Sequence, residues 1–220
     1  MKMLDVPQSG SIAGQTSSRN RFGQYRRSRA VPVNPNSSAQ VAVRASLISN
    51  SQGWRDLTGP ERESWNAYAG VTPVVDALGQ TIFLTGFQQY VGVNSRMNAA
   101  GLATIATPPD GTIVPAPEAA IADTTAGAIT INTVAGSAAG TVVQVFSSPP
   151  VSPGVTFMKD FRLTSTTPGP LVANDPILEV AQMVAKWGAL QVGKRFFFRI
   201  FTVDNTGNAS VVEELSLVIT

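Results

Sequence analysis

The chain has 220 residues, no cysteine and no histidine, and only 14% of its residues are charged. Without Cys there is no disulfide frame, thiolate nucleophile or zinc knuckle. Without His there is no Ser-His or Cys-His pair, no imidazole base and no common His metal site. Catalysis would fall to carboxylates, Lys or Tyr, so the composition predicts a structural or binding protein, not an enzyme, with no metal and no cofactor. The formal net charge of +2 is unevenly spread: +5 over residues 1–70, zero over 71–109 and −3 over 110–220. A basic head on a mildly acidic body predicts two parts with different roles. No run of 18 apolar residues is present, which predicts no transmembrane helix. Residues 1–10 have Lys2 but no apolar core, so no signal peptide is expected and the chain is expected to be made in a cytoplasm.

In chain order, residues 1–36 are expected to be an extended basic arm. They are rich in Ser, Gly, Arg, Asn and Gln and show neither helical nor strand periodicity. Val31-Pro32-Val33-Asn34-Pro35 is stiffened by two prolines. Fully extended, such an arm reaches about 120 Å. Two readings stand side by side, a solvated tail and an arm that orders on a neighbouring subunit. Phe22, Tyr25, Val31 and Val33 are apolar anchors that a solvating tail does not need.

Residues 37–102 are expected to be a helical anchor. Ser37 with Gln40, Thr58 with Glu61 and Thr85 with Gln88 form three capping boxes, the second with Pro60 in its first turn. After the first box, Val41, Ala45, Ile48 and Gln52 follow helical spacing. After the second, Trp65 and Tyr68 are expected to pack on Trp54 and Leu57. Residues 73–84 read as a loop or short strand. After the third box, Phe87, Tyr90, Val91, Asn94 and Met97 form an apolar stripe, with Gly101 and Leu102 closing the helix. These aromatic stripes read as core rather than as a ligand site.

Residues 103–117 read as a linker, with four prolines around Asp110-Gly111. Residues 118–220 read as strands. Alternation marks 128–134 and 211–219, a short apolar run marks 142–146, and Phe157, Phe161 and Leu163 are expected to share a face. Phe196–Val203 is apolar on both faces, as a central strand is. Asp204-Asn205-Thr206-Gly207-Asn208 reads as a hairpin turn. One helix interrupts this pattern: Asp175 as N-cap, Pro176 first, Ile177, Val180, Ala181 and Val184 inward, and Gly188 at its end. The fold class is therefore α+β: an extended N-terminal arm, a small helical region and a C-terminal antiparallel β-sandwich with one inserted helix.

The densest charged feature is Arg19, Arg21, Arg26, Arg27 and Arg29, with Phe22 and Tyr25 between them and no acid. Arginine forks and aromatics fit docking into acidic grooves of a partner protein, binding to nucleic-acid phosphates, or a merely solvated tail. The modest net charge weighs against a dedicated nucleic-acid binder. The candidate docking residues are these five arginines with Phe22, Tyr25, Val31 and Val33. The acids are scattered. Glu213 and Glu214 fall on opposite strand faces, Glu61 and Glu63 lie in a helix first turn, and hairpin chemistry explains Asp204 with Asn205. No phosphate-binding loop or nucleophile elbow is present.

Two stretches resemble a group of bacteriophage-associated proteins of unassigned biochemical role. The first comprises Gly14-Gln15-Thr16, Ser18 to Tyr25, Pro32-Val33-Asn34-Pro35, Ala39-Gln40, Trp54 to Thr58, Arg62, Trp65 and Ala69. The second is Thr85 to Tyr90 with Asn94. The resemblance implies a phage context and a virion component, and carries no catalytic residues. The C-terminal part resembles a fibronectin type III or immunoglobulin-like sandwich, on Gly193 to Ile200 and Val203 to Ser210. Together these predict a virion structural protein, first a head decoration protein fastened by arm and helices. The alternatives are a tail or neck component and a host-surface glycan or receptor-binding module. The expected partners are capsid or tail proteins and further copies of the chain, with nucleic acid as a weaker option and no membrane.

Overall fold

The structure is a computed structural model that describes residues 8–31, 33–76, 78–125, 127–134 and 136–220. The expectations for the first seven residues and for Pro32 lie outside the described residues. Two compact units divide the chain, Met1–Ala42 and Val43–Thr220.

In the first unit β1 (Gly10–Ile12), β2 (Gln15–Asn20) and β3 (Gly23–Ser28) form an antiparallel sheet in that order. The expectation of an extended arm is thus corrected over residues 10–28, which fold back on themselves twice. The strands carry Ser and Arg on both faces, with Gln on one and Thr on the other, so the apolar alternation that normally reveals a strand is missing. What pairs them is backbone hydrogen bonding around two tight turns. Residues 29–31 and 33–37 are irregular.

Helix α1 (Ser38–Asp56) opens on the predicted box: the Ser37 N–H donates to Gln40 Oε1 at 3.3 Å and the Gln40 N–H to Ser37 Oγ at 3.4 Å. Its expected apolar stripe is not its buried face. Ile48 is exposed, as are Val43 and Leu47, while Asn50 is 2% exposed. The polar face docks instead: Asn50 Nδ2 donates to Ser95 Oγ at 3.1 Å, and Asn98 Nδ2 donates to Asn50 Oδ1 at 3.1 Å. The paired amides let this face be buried without the cost of leaving their polar groups unpartnered.

Helix α2 (Gly59–Val71) follows the second box, where the Thr58 N–H and hydroxyl both donate to Glu61 Oε2 at 2.7 Å. A short hairpin, β4 (Val74–Val75) with β5 (Thr81–Ile82), leads to α3 (Gly86–Ala100). Its buried face is Tyr90, Val93, Asn94 and Met97, with Phe87 at the margin. Gly101 closes the helix at φ 73°, a left-handed position, and the Leu102 N–H returns to Met97 O at 2.9 Å. Trp65 is fully buried against Tyr68 and Tyr90, at ring centroid distances of 5.9 and 5.4 Å, in one cluster with Trp54 and Leu57.

Residues 103–117, expected as a linker, are packed coil. The Trp65 indole N–H donates to Ala106 O at 2.7 Å, and Asn94 clamps the Ile105 backbone at 2.8 and 3.2 Å. Asn208 Nδ2 donates to Asp110 Oδ1 at 2.8 Å, and Val114 is buried. Prolines prevent regular structure here, and buried side chains supply the partners the backbone would otherwise lack.

The remaining strands are β6 (Ala119–Asp123), β7 (Thr130–Thr133), β8 (Thr141–Ser147), β9 (Arg162–Pro168), β10 (Pro176–Glu179), β11 (Arg195–Asp204) and β12 (Glu213–Val218). They make two antiparallel sheets, β10-β7-β6 and β12-β11-β8-β9. Ile131, Val145, Ile177, Phe198 and Leu217 bring both sheets into one apolar core. Alternate residues of β8 and β11 point to the other side, where Val142 and Val203 join the Trp65 cluster. The four-stranded sheet therefore serves two cores, and β11 is central as predicted. The expected helix start is corrected. Pro176–Glu179 is a strand whose Ile177 and Leu178 enter the core, and α4 (Val180–Trp187) begins after Glu179. Burial of two apolar neighbours on a sheet outweighs the local cap at Asp175. Phe157 and Phe161 lie before β9, and Phe157 is exposed, so the face expected with Leu163 does not form.

Candidate functional site

The predicted docking residues lie on or just beyond the first sheet. Asn20 pairs with Gly23, which leaves Arg21-Phe22 as a two-residue hairpin loop. Asn20 is suited to the start of such a turn, and its Oδ1 accepts the Phe22 N–H at 2.9 Å. The Arg21 guanidinium lies 5.3 Å from the Phe22 ring centroid, and Phe22 is 73% exposed. In register, Arg19 faces Gln24, Tyr25 faces Ser18, Arg26 faces Ser17 and Arg27 faces Thr16. Cross-strand partners share a face and neighbours alternate. Arg19 and Arg26 therefore lie on one face and Tyr25 and Arg27 on the other. Arg29 follows β3, where its N–H donates to Gly14 O at 2.8 Å. Val31 and Val33 stand beyond it, exposed.

The five arginines are thus not a single patch. Two sit on one face, one on the other, one at the tip and one past the end. Arg26 Nη2 donates to Gln8 Oε1 at 2.6 Å, at the side of a shallow hollow of about 780 Å³ that Ile12, Gln15 and Ser17 also line. Ile12 and Gln8 belong to this surface and were not singled out from the sequence. The signal for them is the other turn, Ala13-Gly14, which pairs Ile12 with Gln15 and so brings β1 beside β2. Among the described residues up to Ala42 none is buried, and none is acidic.

In the second unit the acids serve structure. The Glu61 carboxyl is held below its ordinary range by the Thr58 hydroxyl and then the Thr58 N–H. Asp110 is held low by the Thr112 N–H and the Asn208 amide, and Asp123 by the Thr125 N–H. Asp204 closes its hairpin by accepting from the Thr206 and Asn208 N–H groups at 3.0 and 2.8 Å. Glu213 Oε2 accepts the Ala119 N–H at 2.9 Å, while Glu214 pairs with Arg199 at 2.8 Å on the opposite strand face. No three of His, Cys, Asp and Glu gather into a metal-binding group among the described residues. No helix is long and apolar enough to cross a membrane among them.

No family model, curated protein or solved structure matches this chain.

Proposed function

We propose that the protein is a structural component of a bacteriophage particle, a head decoration protein that its N-terminal unit fastens to neighbouring subunits. The observation that carries this reading is a sheet with no core. A three-stranded sheet needs a hydrophobic face to be stable alone. Here every described residue up to Ala42 is partly or fully exposed, and arginines stand on both faces. The edge strands β1 and β3 offer unpaired backbone groups for strand addition, and Phe22, Val31 and Val33 supply exposed apolar anchors. Such a unit is stabilised by acidic or apolar surfaces of a partner, and many weak copies add up in a multivalent particle. The exposed Val43, Leu47 and Ile48 of α1 provide a further apolar contact surface for assembly.

We read the two large sheets as a displayed sandwich of the fibronectin type III kind. The first, second and fifth strands of residues 118–220 form one sheet; the third, fourth, sixth and seventh form the other. In the constant-type immunoglobulin arrangement the fourth strand pairs in the opposite sheet, so the fibronectin-like member of the two is favoured. The role is taken as non-catalytic. The test is particle association of the full chain against a chain lacking residues 1–36, whose body keeps both cores. The truncated chain should stay folded and soluble but lose association; normal decoration by it would defeat the reading. A tail or neck position would show in the same assay with separated heads and tails.

A second reading, a host-surface binding module, draws on Phe157. It stands 64% exposed beside a hollow of about 210 Å³ shared with Met158, Phe161 and Phe197. A glycan array with the full chain separates the two, since a purely structural role predicts no specific binding.

A further inference from the structure

Between Asp76 and Asp110 the chain carries a single charge, Arg96. It lies on α3, seven residues after Gln89, so the two share a helix face. That face borders a hollow of about 580 Å³ walled by Tyr68, by the coil at Thr112 and by the β11–β12 turn at Asn208. The turn is pressed close to the helix: a Cβ on Gly207 would stand 2.9 Å from Val93 Cγ1 and 2.7 Å from Ile105 Cδ1. The neighbouring amides are already committed. Gln89 Nε2 donates to Thr72 O at 3.3 Å, and Asn208 Nδ2 donates to Asp110, Asp204 and Thr206.

Arg96 differs from them. Its half-buried guanidinium has five donors and makes no hydrogen bond or ion pair with the described residues. Burial pushes it below its ordinary pKa, opposed by the Tyr68 phenol. A cation held partly out of water without an acid costs free energy unless something supplies the countercharge. One fork without a second cation matches a monoanion, and it matches the planar geometry of a carboxylate best. A phosphate dianion would call for several donors of positive charge. Around the mouth stand Val74, Ile113 and Val211, the last two 90% and 81% exposed, which would cover an apolar group attached to the anion.

We propose that this hollow is a binding site for a carboxylate carried on an apolar group, with Arg96 as its countercharge. The role goes beyond assembly through the N-terminal unit and uses none of that unit's residues.

The test is an amide-resolved NMR titration of the full chain with N-acetyl-leucine, N-acetyl-leucinamide, an N-acetyl tripeptide ending in leucine, and inorganic phosphate. N-acetyl-leucine should shift the amides of Thr72, Gln89, Thr112 and Asn208, and the uncharged leucinamide should bind about tenfold more weakly or less. Arg96→Gln should abolish the difference between acid and amide, and Arg96→Lys should keep part of it. Tighter binding of the tripeptide would point to a protein chain end as the source, and equal binding to a small free acid; both support the site. Three outcomes overturn it: no shifts at these amides, equal binding of acid and amide, or phosphate binding more tightly than the acid. The acid-against-amide comparison on the unaltered chain decides the matter if Arg96→Gln does not fold.

Discussion

The two units of this protein are built on opposite principles. The second buries Trp65, Phe196, Phe198 and a ring of Ile, Leu and Val side chains in two cores that meet across one sheet. The first has three paired strands and no buried side chain among its described residues. Secondary structure alone is therefore a poor guide to stability. Strand pairing satisfies backbone groups, but removal of apolar surface from water supplies most of the favourable free energy. A segment with pairing and no burial leaves its side chains exposed, and a segment with both holds its own core.

The largest test of this contrast is Trp65→Ala. It removes a fully buried ring and its bond to Ala106 O, and should destabilise the body by about 3–5 kcal/mol in urea unfolding. A loss under 1 kcal/mol would mean the helical cluster is not a true core. Next comes Gly207→Ala. The residue has φ +89°, and a Cβ there meets Ile105 and Val93 at under 3.0 Å. A cost of about 1–3 kcal/mol is expected, read from the same midpoints. Substitution without cost would loosen the packing of the turn on α3.

Smaller is the effect of Glu61→Ala, which removes the carboxylate that accepts from the Thr58 N-cap of α2. The folded-state pKa of Glu61 lies below its ordinary value of 4.5 because Thr58 bonds the ionised form. Its stabilisation is complete above the unfolded value and is lost as pH falls through the folded value. The variant should thus be less stable than the parent at neutral pH, and the two should converge in acid. A gap that persists below the carboxylate range would assign the effect to something other than the charge. Smallest is Phe22→Ala, expected to move stability by no more than ~0.5 kcal/mol because the ring is exposed. If particle association falls while the unfolding midpoint stays fixed, the division of labour between the units is sharpened. A clear loss of stability would show that Phe22 belongs to a core.

Much of the second unit could be read in advance because its signals are local. Ser37, Thr58 and Thr85 each open a helix with the partner three residues on, Gly101 and Gly188 close two, and Asp204 to Asn208 makes the turn. The misreadings share one cause, competition from distant partners. Asn50 turned α1 onto its polar face, Ile177 and Leu178 entered a sheet rather than a helix, and residues 103–117 found Trp65, Asn94 and Asn208. The candidate docking residues were visible as a composition, and their division between two faces was not. With no apolar side chains repeating at period two, only the pairing of Asn20 with Gly23 reveals the register.

By itself, then, the sequence determined the chemistry this chain lacks, the caps that bound its helices, the alternation of its later strands and the concentration of arginine near its start. These depend on residue identity and on neighbours within a turn or two. Tertiary structure alone decided which helix face is buried, which sheet each strand joins, how the arginines are apportioned, and that Arg96 stands beside a hollow without a countercharge. Those are outcomes of contacts between residues far apart in the chain. There, satisfying buried amides and filling a core outweigh local preferences of a few tenths of a kcal/mol each.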